Sequence, residues 1–218
     1  MKKFFKQFKK INSEPLEKSN VIWSWIGSFL GILAISYFHR DILNDDDLTL
    51  VIGSFGASAV LVYGAVNSPL AQPRNLLGGH ILSAIIGVIS YKILHQDLII
   101  ASAFAVATSI LVMQMTLTLH PPGGATALIA VIGSNQIHEL GFLYVLFPVT
   151  SGAFILLIIA IIVNNIPKHR YYPESLKDYN KKWFIEEWLY RDFKYKTKFV
   201  LYFDLNQDNF YPIYIYFL

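Results

Sequence analysis

Successive apolar stretches constrain this chain more than any other feature of its sequence. An α-helix rises about 1.5 Å per residue, so crossing the hydrocarbon core of a bilayer takes about 20 residues. Hydrophobic residues make up 54% of the 218 residues and charged residues only 15%. The sequence therefore predicts an all-α integral membrane protein with about six transmembrane segments, some of them short broken helices. These segments are residues 21–38, 48–66, 76–94, 98–119, 123–133 and 140–163.

The fifth stretch, residues 123–133, reaches only about half way across a bilayer. Pro121 and Pro122 precede it, and two adjacent prolines end any helix that arrives from the N-terminal side. Proline is also favoured in the first turn of a new helix. We therefore expect a short helix that begins inside the membrane and ends at its outer face.

A similar pattern occurs earlier in the chain. Gly56-Ala57-Ser58-Ala59 resembles Gly124-Ala125-Thr126-Ala127, and both lie in the middle segment of a three-segment unit. An odd number of crossings per unit predicts a 3+3 inverted repeat, with two helix starts facing one another near the midplane. Chance is the alternative explanation, because Gly and Ala are abundant in membrane helices.

The charged residues predict the orientation and the domain organisation. Six lysines precede the first stretch, four aspartates lie in the loop that follows it, and basic residues follow the last stretch. The positive-inside rule then places both termini in the cytoplasm, and we expect a multi-pass protein of the plasma membrane. The predicted parts are a basic N-terminus (1–20), a transmembrane domain (21–166) and a basic, aromatic tail (167–218). The net charge of +3 suits contact with the lipid bilayer and predicts no nucleic-acid partner.

Three motifs resemble those of the HPP family of integral membrane proteins. They are His120–Leu128, the stretch Ser68–Asn75 followed by Gly78-Gly79-His80, and Arg170–Pro173. The resemblance covers about residues 20–175 and does not extend to the tail. Members in plastids and cyanobacteria are associated with nitrite transport, so the resemblance implies a carrier of a small anion, with nitrite as the favoured substrate.

The helix break itself favours an anion. A helix start carries unpaired N–H groups and a partial positive charge, and both suit a small anion. Gly123 and Gly124 would let the anion approach the backbone, beside the N–H of Ala125. Ser58 and Thr126 would add hydroxyl donors. On this hypothesis, enlarging Gly124 or Gly56 to valine blocks the substrate, whereas the alternative is that these small residues only pack helices.

Four further polar residues are candidates for substrate binding. Arg74 is an anion-attracting charge or a positive-inside marker, and Asn75 is an amide donor or a turn former. His80 binds the anion or carries a proton, and His120 does the same or only caps the end of the fourth stretch. The predicted substrate-binding residues are Gly56, Ala57, Ser58, Arg74, Asn75, His80, His120, Gly123, Gly124, Ala125 and Thr126.

An enzyme, a channel and a sensor are the other classes of function to consider for this sequence. The chain has no cysteine and no Gly-x-Ser-x-Gly or His-Glu-x-x-His motif, so we expect no enzyme, metal site or cofactor. A passive anion channel or a membrane sensor that transports nothing are the alternatives. The Gly27-Ser-Phe-Leu-Gly31 pair has the spacing of a helix-dimer contact, which suggests a homodimer, although the same spacing serves packing within one subunit.

Overall fold

The computed structural model describes residues 18–167 and 169–178, and these form helices and their connections. The expectations for residues 1–17 and 179–218 lie outside this part of the chain. The α-helices are α1 (Lys18–His39), α2 (Asp45–Ala59), α3 (Pro73–Leu94), α4 (Leu98–Met115), α5 (Pro121–Ile132), α6 (Asn135–Leu140) and α7 (Ser151–Asn165). Two π-helical turns, Val60–Gly64 and Val145–Thr150, extend α2 at its end and α7 at its start, and short 3-10 turns cover Pro69–Ala71 and Glu174–Asp178.

Five helices in the described ranges are long and apolar enough to cross a membrane, and α5 is a shorter apolar helix. This confirms the predicted all-α membrane fold with about six segments. The predicted sixth stretch, 140–163, is wrong at its start, since the final span covers Val145–Asn165. Leu140 instead ends α6, where Gly141 has a φ of +51°. Glycine adopts this left-handed conformation without a steric penalty, so it ends helices readily.

Helix α3 lies at the centre of the bundle, because it packs against α4, α5, α7 and the turns Pro69–Ala71 and Val145–Thr150. Its contact with α5 depends on Gly87. A Cβ on Gly87 would overlap the carbonyl oxygen of Ala127 and lie 2.8 Å from the Cβ of Ala130. The two backbones therefore approach each other closely, as small residues allow in membrane bundles.

Replacing Gly87 with alanine is expected to lower the free energy of unfolding by about 1–3 kcal/mol, because the new methyl group has no room. Gly53→Ala is the matched control. A Cβ on Gly53 meets nothing within 4 Å, and alanine favours a helix by up to about 1 kcal/mol over glycine. Thermal unfolding in detergent measures both variants, and equal melting temperatures would contradict the packing role of Gly87.

Gly27 and Gly31 do not offer a free dimer surface. A Cβ on Gly27 would overlap the ring of Tyr63, and one on Gly31 would lie 2.7 Å from the Tyr63 hydroxyl oxygen. The pair therefore packs within one subunit, because Tyr63 of the same chain fills the groove, and the homodimer stays a prediction. Its hydroxyl then donates to the carbonyl oxygen of Leu156, 3.2 Å away.

Helix α5 begins beside the interior of α3 and not beside its first residue. The end of α4 is closed by hydrogen bonds from the N–H of Leu117 to the carbonyl of Gln114 and from the N–H of Thr118 to that of Met113, the pattern of a Schellman motif. The chain then runs to His120, whose Cβ packs against Gly79. Since Gly79 is six residues into α3, α5 starts about 9 Å along that helix.

The counterpart helix start expected at Gly56 is not formed. Gly56 lies inside α2, which starts at Asp45 with Asn44 as its N-cap. The Asn44 side chain accepts the N–H of Asp47 at 2.8 Å, and no proline interrupts the helix before Val60. The N-cap at Asn44 and the absence of proline from the rest of α2 explain why the helix continues through Gly56-Ala57.

Candidate functional site

Two histidines and three hydroxyl side chains meet in the interior of the bundle. The Ser58 Oγ atom lies 2.7 Å from His80 Nε2 and 2.9 Å from His120 Nε2. On the other side of His80, the Nδ1 atom lies 2.7 Å from Thr126 Oγ1. Ser54 Oγ lies 3.0 Å from the same hydroxyl. All five residues are buried, and we call them the histidine cluster.

Three helices position the histidine cluster. Ser54 and Ser58 lie one turn apart on α2, His80 lies near the start of α3, and Thr126 lies on α5. His120 is the N-cap of α5, and its Nδ1 atom lies 2.8 Å from the carbonyl oxygen of Leu70. The break before α5 therefore places His120 beside His80, with ring centroids 5.0 Å apart.

The backbone of α5 contributes less than expected to this site. Pro121 and Pro122 occupy its first two positions and have no N–H group. The next N–H, that of Gly123, already donates to the carbonyl oxygen of His120 at 2.8 Å. The expected cradle of N–H groups at the helix start is thus largely absent, because the prolines that break the chain also remove its donors.

Four of the small residues predicted to contact the substrate lie away from the histidine cluster. A Cβ on Gly56 meets nothing within 4 Å, and one on Gly124 meets only Val106, at 3.8 Å. Ala57 is exposed and Ala125 is partly exposed. The structure therefore gives no steric reason for Gly124→Val or Gly56→Val to block a substrate. Gly123 instead packs against α3, where a Cβ would lie 2.8 Å from the carbonyl oxygen of Gly79.

Arg74 and Asn75 hold the segment that leads to the break. The Arg74 Nη2 atom donates to the carbonyl oxygen of Thr116 at 2.8 Å, and Asn75 Nδ2 donates to that of Leu119 at 2.9 Å. These carbonyls follow the end of α4, where intrahelical donors run out. Arg74 is exposed, so the structure brings both residues to the break and not to the histidine cluster.

The histidine cluster is built from hydrogen-bonding groups and contains no carboxylate. The cluster offers hydroxyl groups and imidazoles that can donate hydrogen bonds, and an imidazole can also take up a proton. Among the side chains of residues 18–167 and 169–176, the one ion pair within 4.0 Å is Arg40–Asp41, on the surface. Likewise, that part of the chain has no group of three or more His, Asp or Glu side chains that could hold a metal ion.

A second polar feature, a cavity with an arginine in its wall, was not predicted from the sequence. A cavity of about 420 Å³ lies beside the loop between α2 and α3, and Arg170 forms part of its wall. The other polar side chains of the wall belong to Asn20, Ser24, Asn67, Ser68 and His169. Arg170 was predicted as an orientation marker and as part of the Arg170–Pro173 motif, but not as the wall of a polar cavity.

Arg170 is buried, with 7% of its surface exposed. Its guanidinium donates to the carbonyl oxygens of Tyr63, at 2.6 Å, and Asn20, at 3.2 Å. Ser24 Oγ is a third acceptor, at 3.4 Å. These partners are neutral, and burial lowers the pKa of the Arg170 guanidinium below its usual value. A cation held by neutral groups at a cavity wall is a favourable neighbour for an anion.

A buried carboxylate closes the opposite end of α2. Asp47 accepts hydrogen bonds from the Ser134 N–H at 2.9 Å, from the Ser134 hydroxyl at 2.5 Å and from Asn44 Nδ2 at 2.7 Å. These bonds tie the start of α2 to the connection between α5 and α6. From the sequence, Asp47 was predicted only as one of four aspartates in the first loop. Its burial was not predicted, because its partner Ser134 lies 87 residues away.

The membrane-spanning helices and the polar residues in their core define a multi-pass membrane protein with a buried polar site. The chain belongs to the HPP transmembrane family, since the family model described as "HPP, transmembrane region" matches residues 13–173. This confirms the family inferred from the three motifs.

Two curated relatives from Dictyostelium discoideum are named only as transmembrane proteins. One is 47% identical over 154 residues, which cover 69% of this chain and 54% of the relative. The other is 43% identical over 175 residues, which cover 78% of this chain and 56% of the relative. The chain thus spans about half the length of these relatives. No solved structure matches it.

Proposed function

We propose that this protein transports a small inorganic anion across the plasma membrane, with nitrite as the favoured substrate, and holds it at the histidine cluster. The observation that supports this most is the burial of two imidazoles and three hydroxyls in mutual contact. Buried polar groups inside a membrane protein are costly and usually mark a substrate or ion path. A planar oxyanion that displaces these mutual contacts can accept hydrogen bonds from several of the same donors at once.

The cavity beside Arg170 supplies the approach to this site. It is lined by Ala65, Val66, Asn67 and Ser68, and the same loop continues to Leu70, whose carbonyl contacts His120. Arg170 would attract the anion to the cavity, and the loop 65–72 would separate it from the histidine cluster. With both termini in the cytoplasm, this cavity faces the cytoplasm.

A small uncoupled anion would be expelled by the membrane potential. Moving one charge against an inside-negative potential costs about 2.3 kcal/mol per 100 mV. Moving the anion together with a proton removes this cost, because the pair carries no net charge. An imidazole in the binding site is the group best suited to accept that proton.

Counterflow in proteoliposomes tests the proposed function. Vesicles that contain the full chain and unlabelled nitrite are expected to accumulate ¹⁵N-labelled nitrite transiently and with saturation, because a carrier exchanges one substrate for another. Nitrate, chloride and sodium serve as competitors, and only the anions should compete. Protein-free vesicles correct for nitrous acid that crosses the lipid. Steady unsaturated flux would indicate a channel, and no flux above the protein-free level would refute transport of nitrite.

A further inference from the structure

We propose that Ser58 relays a proton between His80 and His120, so that each anion crosses together with one proton. The inference deepens the proposed function, and it rests on the proposed transport for its coupling to the anion. It follows from the direction in which the hydrogen bonds of the histidine cluster must point. That direction is set by one backbone carbonyl.

The carbonyl of Leu70 fixes the hydrogen on His120. A carbonyl oxygen only accepts, so the Nδ1 atom of His120, 2.8 Å away, carries the hydrogen of this bond. A second hydrogen would make the buried ring a cation, and no carboxylate among residues 18–167 and 169–176 forms an ion pair with it. His120 Nε2 is therefore an acceptor, and Ser58 donates to it across 2.9 Å.

The remaining bonds of the histidine cluster then follow. Ser58 has one hydroxyl hydrogen, which it gives to His120, so it accepts from His80 Nε2 across 2.7 Å. His80 consequently carries its hydrogen on Nε2 and accepts at Nδ1 from the Thr126 hydroxyl, again across 2.7 Å. Four consecutive hydrogen bonds point from Thr126 towards Leu70, without a gap or a reversal.

This arrangement can pass a proton in one direction. Thr126 gives its hydroxyl proton to His80 Nδ1 and takes a replacement from Ser54 Oγ, which is reprotonated by the proton that enters with the anion. His80 is then a transient cation. His80 releases its Nε2 proton to Ser58 Oγ, while Ser58 gives its own proton to His120 Nε2. His120 then loses its Nδ1 proton to water at the Leu70 loop. One proton crosses the cluster, no electrons move, and the groups return by tautomer exchange and hydroxyl rotation.

The surroundings provide two ends for this path. Leu70 is partly exposed, and its neighbour Ala71 is held by the Tyr172 hydroxyl, which donates to the Ala71 carbonyl at 2.7 Å. At the other end, Ser54 lies within 3.0 Å of Thr126 Oγ1 and can supply a proton to it. The Tyr144 hydroxyl donates to the Thr126 carbonyl at 3.0 Å and is the other titratable group that the structure shows next to this cluster.

The experiment measures protons carried per nitrite. Proteoliposomes of the full chain contain a pH-sensitive dye, and labelled nitrite is added outside. The wild type is expected to carry about one proton per nitrite, and Ser58→Ala at least about tenfold fewer, whatever its transport rate. Ser58→Thr keeps the hydroxyl and should keep the ratio. Ser90→Ala is the matched control, because Ser90 is a buried serine on α3 that bonds only its own helix, at Ile86.

The outcomes separate the relay from the proposed function. A wild-type ratio in Ser58→Ala overturns the relay and leaves nitrite transport standing, whereas no protein-dependent nitrite uptake by the wild type refutes the transport and the coupling with it. Solid-state ¹⁵N NMR of the histidine rings gives a second readout that needs no transport. It should show hydrogen on Nδ1 of His120 and on Nε2 of His80, and the opposite tautomers would overturn the relay.

Discussion

Replacing His120 with glutamine is expected to lower nitrite exchange at least tenfold, which corresponds to about 1.4 kcal/mol of lost stabilisation. Glutamine can still donate to the Leu70 carbonyl and bond to Ser58, so the helix break should remain folded. It cannot take up a proton, so it cannot accept the one that accompanies the anion. Counterflow at fixed pH measures the effect.

His95→Gln is the matched control for this substitution. His95 is exposed at the end of α3, so its replacement changes the same chemistry away from the histidine cluster. Both variants must reach the membrane in similar amounts and melt at similar temperatures. Wild-type exchange by a stable His120→Gln protein would show that the histidine cluster has no part in transport.

Replacing Arg170 with glutamine is expected to raise the KM for nitrite at least about tenfold and to destabilise the protein by about 1–3 kcal/mol. The first effect follows from the loss of the buried cation at the cavity. The second follows because the carbonyl of Tyr63 loses its 2.6 Å partner. Nitrite uptake at varied concentration measures KM, and thermal unfolding measures stability.

Two further variants separate these effects. Arg170→Lys keeps the charge but not the planar set of donors. Its KM should therefore be close to that of the wild type, and its stability close to that of Arg170→Gln. Arg74→Gln removes an exposed arginine on the same side of the bundle and should change KM less than threefold, since exposed charges are screened by salt. A larger effect at Arg74 than at Arg170 would contradict the assignment of the cavity as the approach.

The sequence was sufficient to predict the spans and the family, because both depend on local patterns. Runs of about 20 apolar residues define helices that cross a bilayer, and paired prolines end a helix wherever they occur. The motif around His120 also pointed to the correct family. The meeting of His80 with His120 could not be predicted in this way, since it depends on how α3 and α5 pack through Gly79 and Gly87.

Ser58 and Thr126 lie close together for a different reason from the one predicted. Both were chosen as matching positions of two helix starts, but Ser58 lies inside a continuous helix. They nevertheless belong to one cluster, because each contacts a different nitrogen of His80. The roles of Arg170 and Asp47 were missed, since a charged side chain near a span looks the same in the sequence whether it is exposed or buried.

Direct binding of nitrite at the histidine cluster is the central claim, and ¹⁵N NMR of the full chain in lipid nanodiscs tests it. The chain has six histidines, and single His→Gln variants assign their ring signals. Titration with nitrite is expected to shift the signals of His80 and His120 with saturation, while the exposed His95 stays unchanged. Protein that exchanges nitrite while neither His80 nor His120 responds to it would contradict the account.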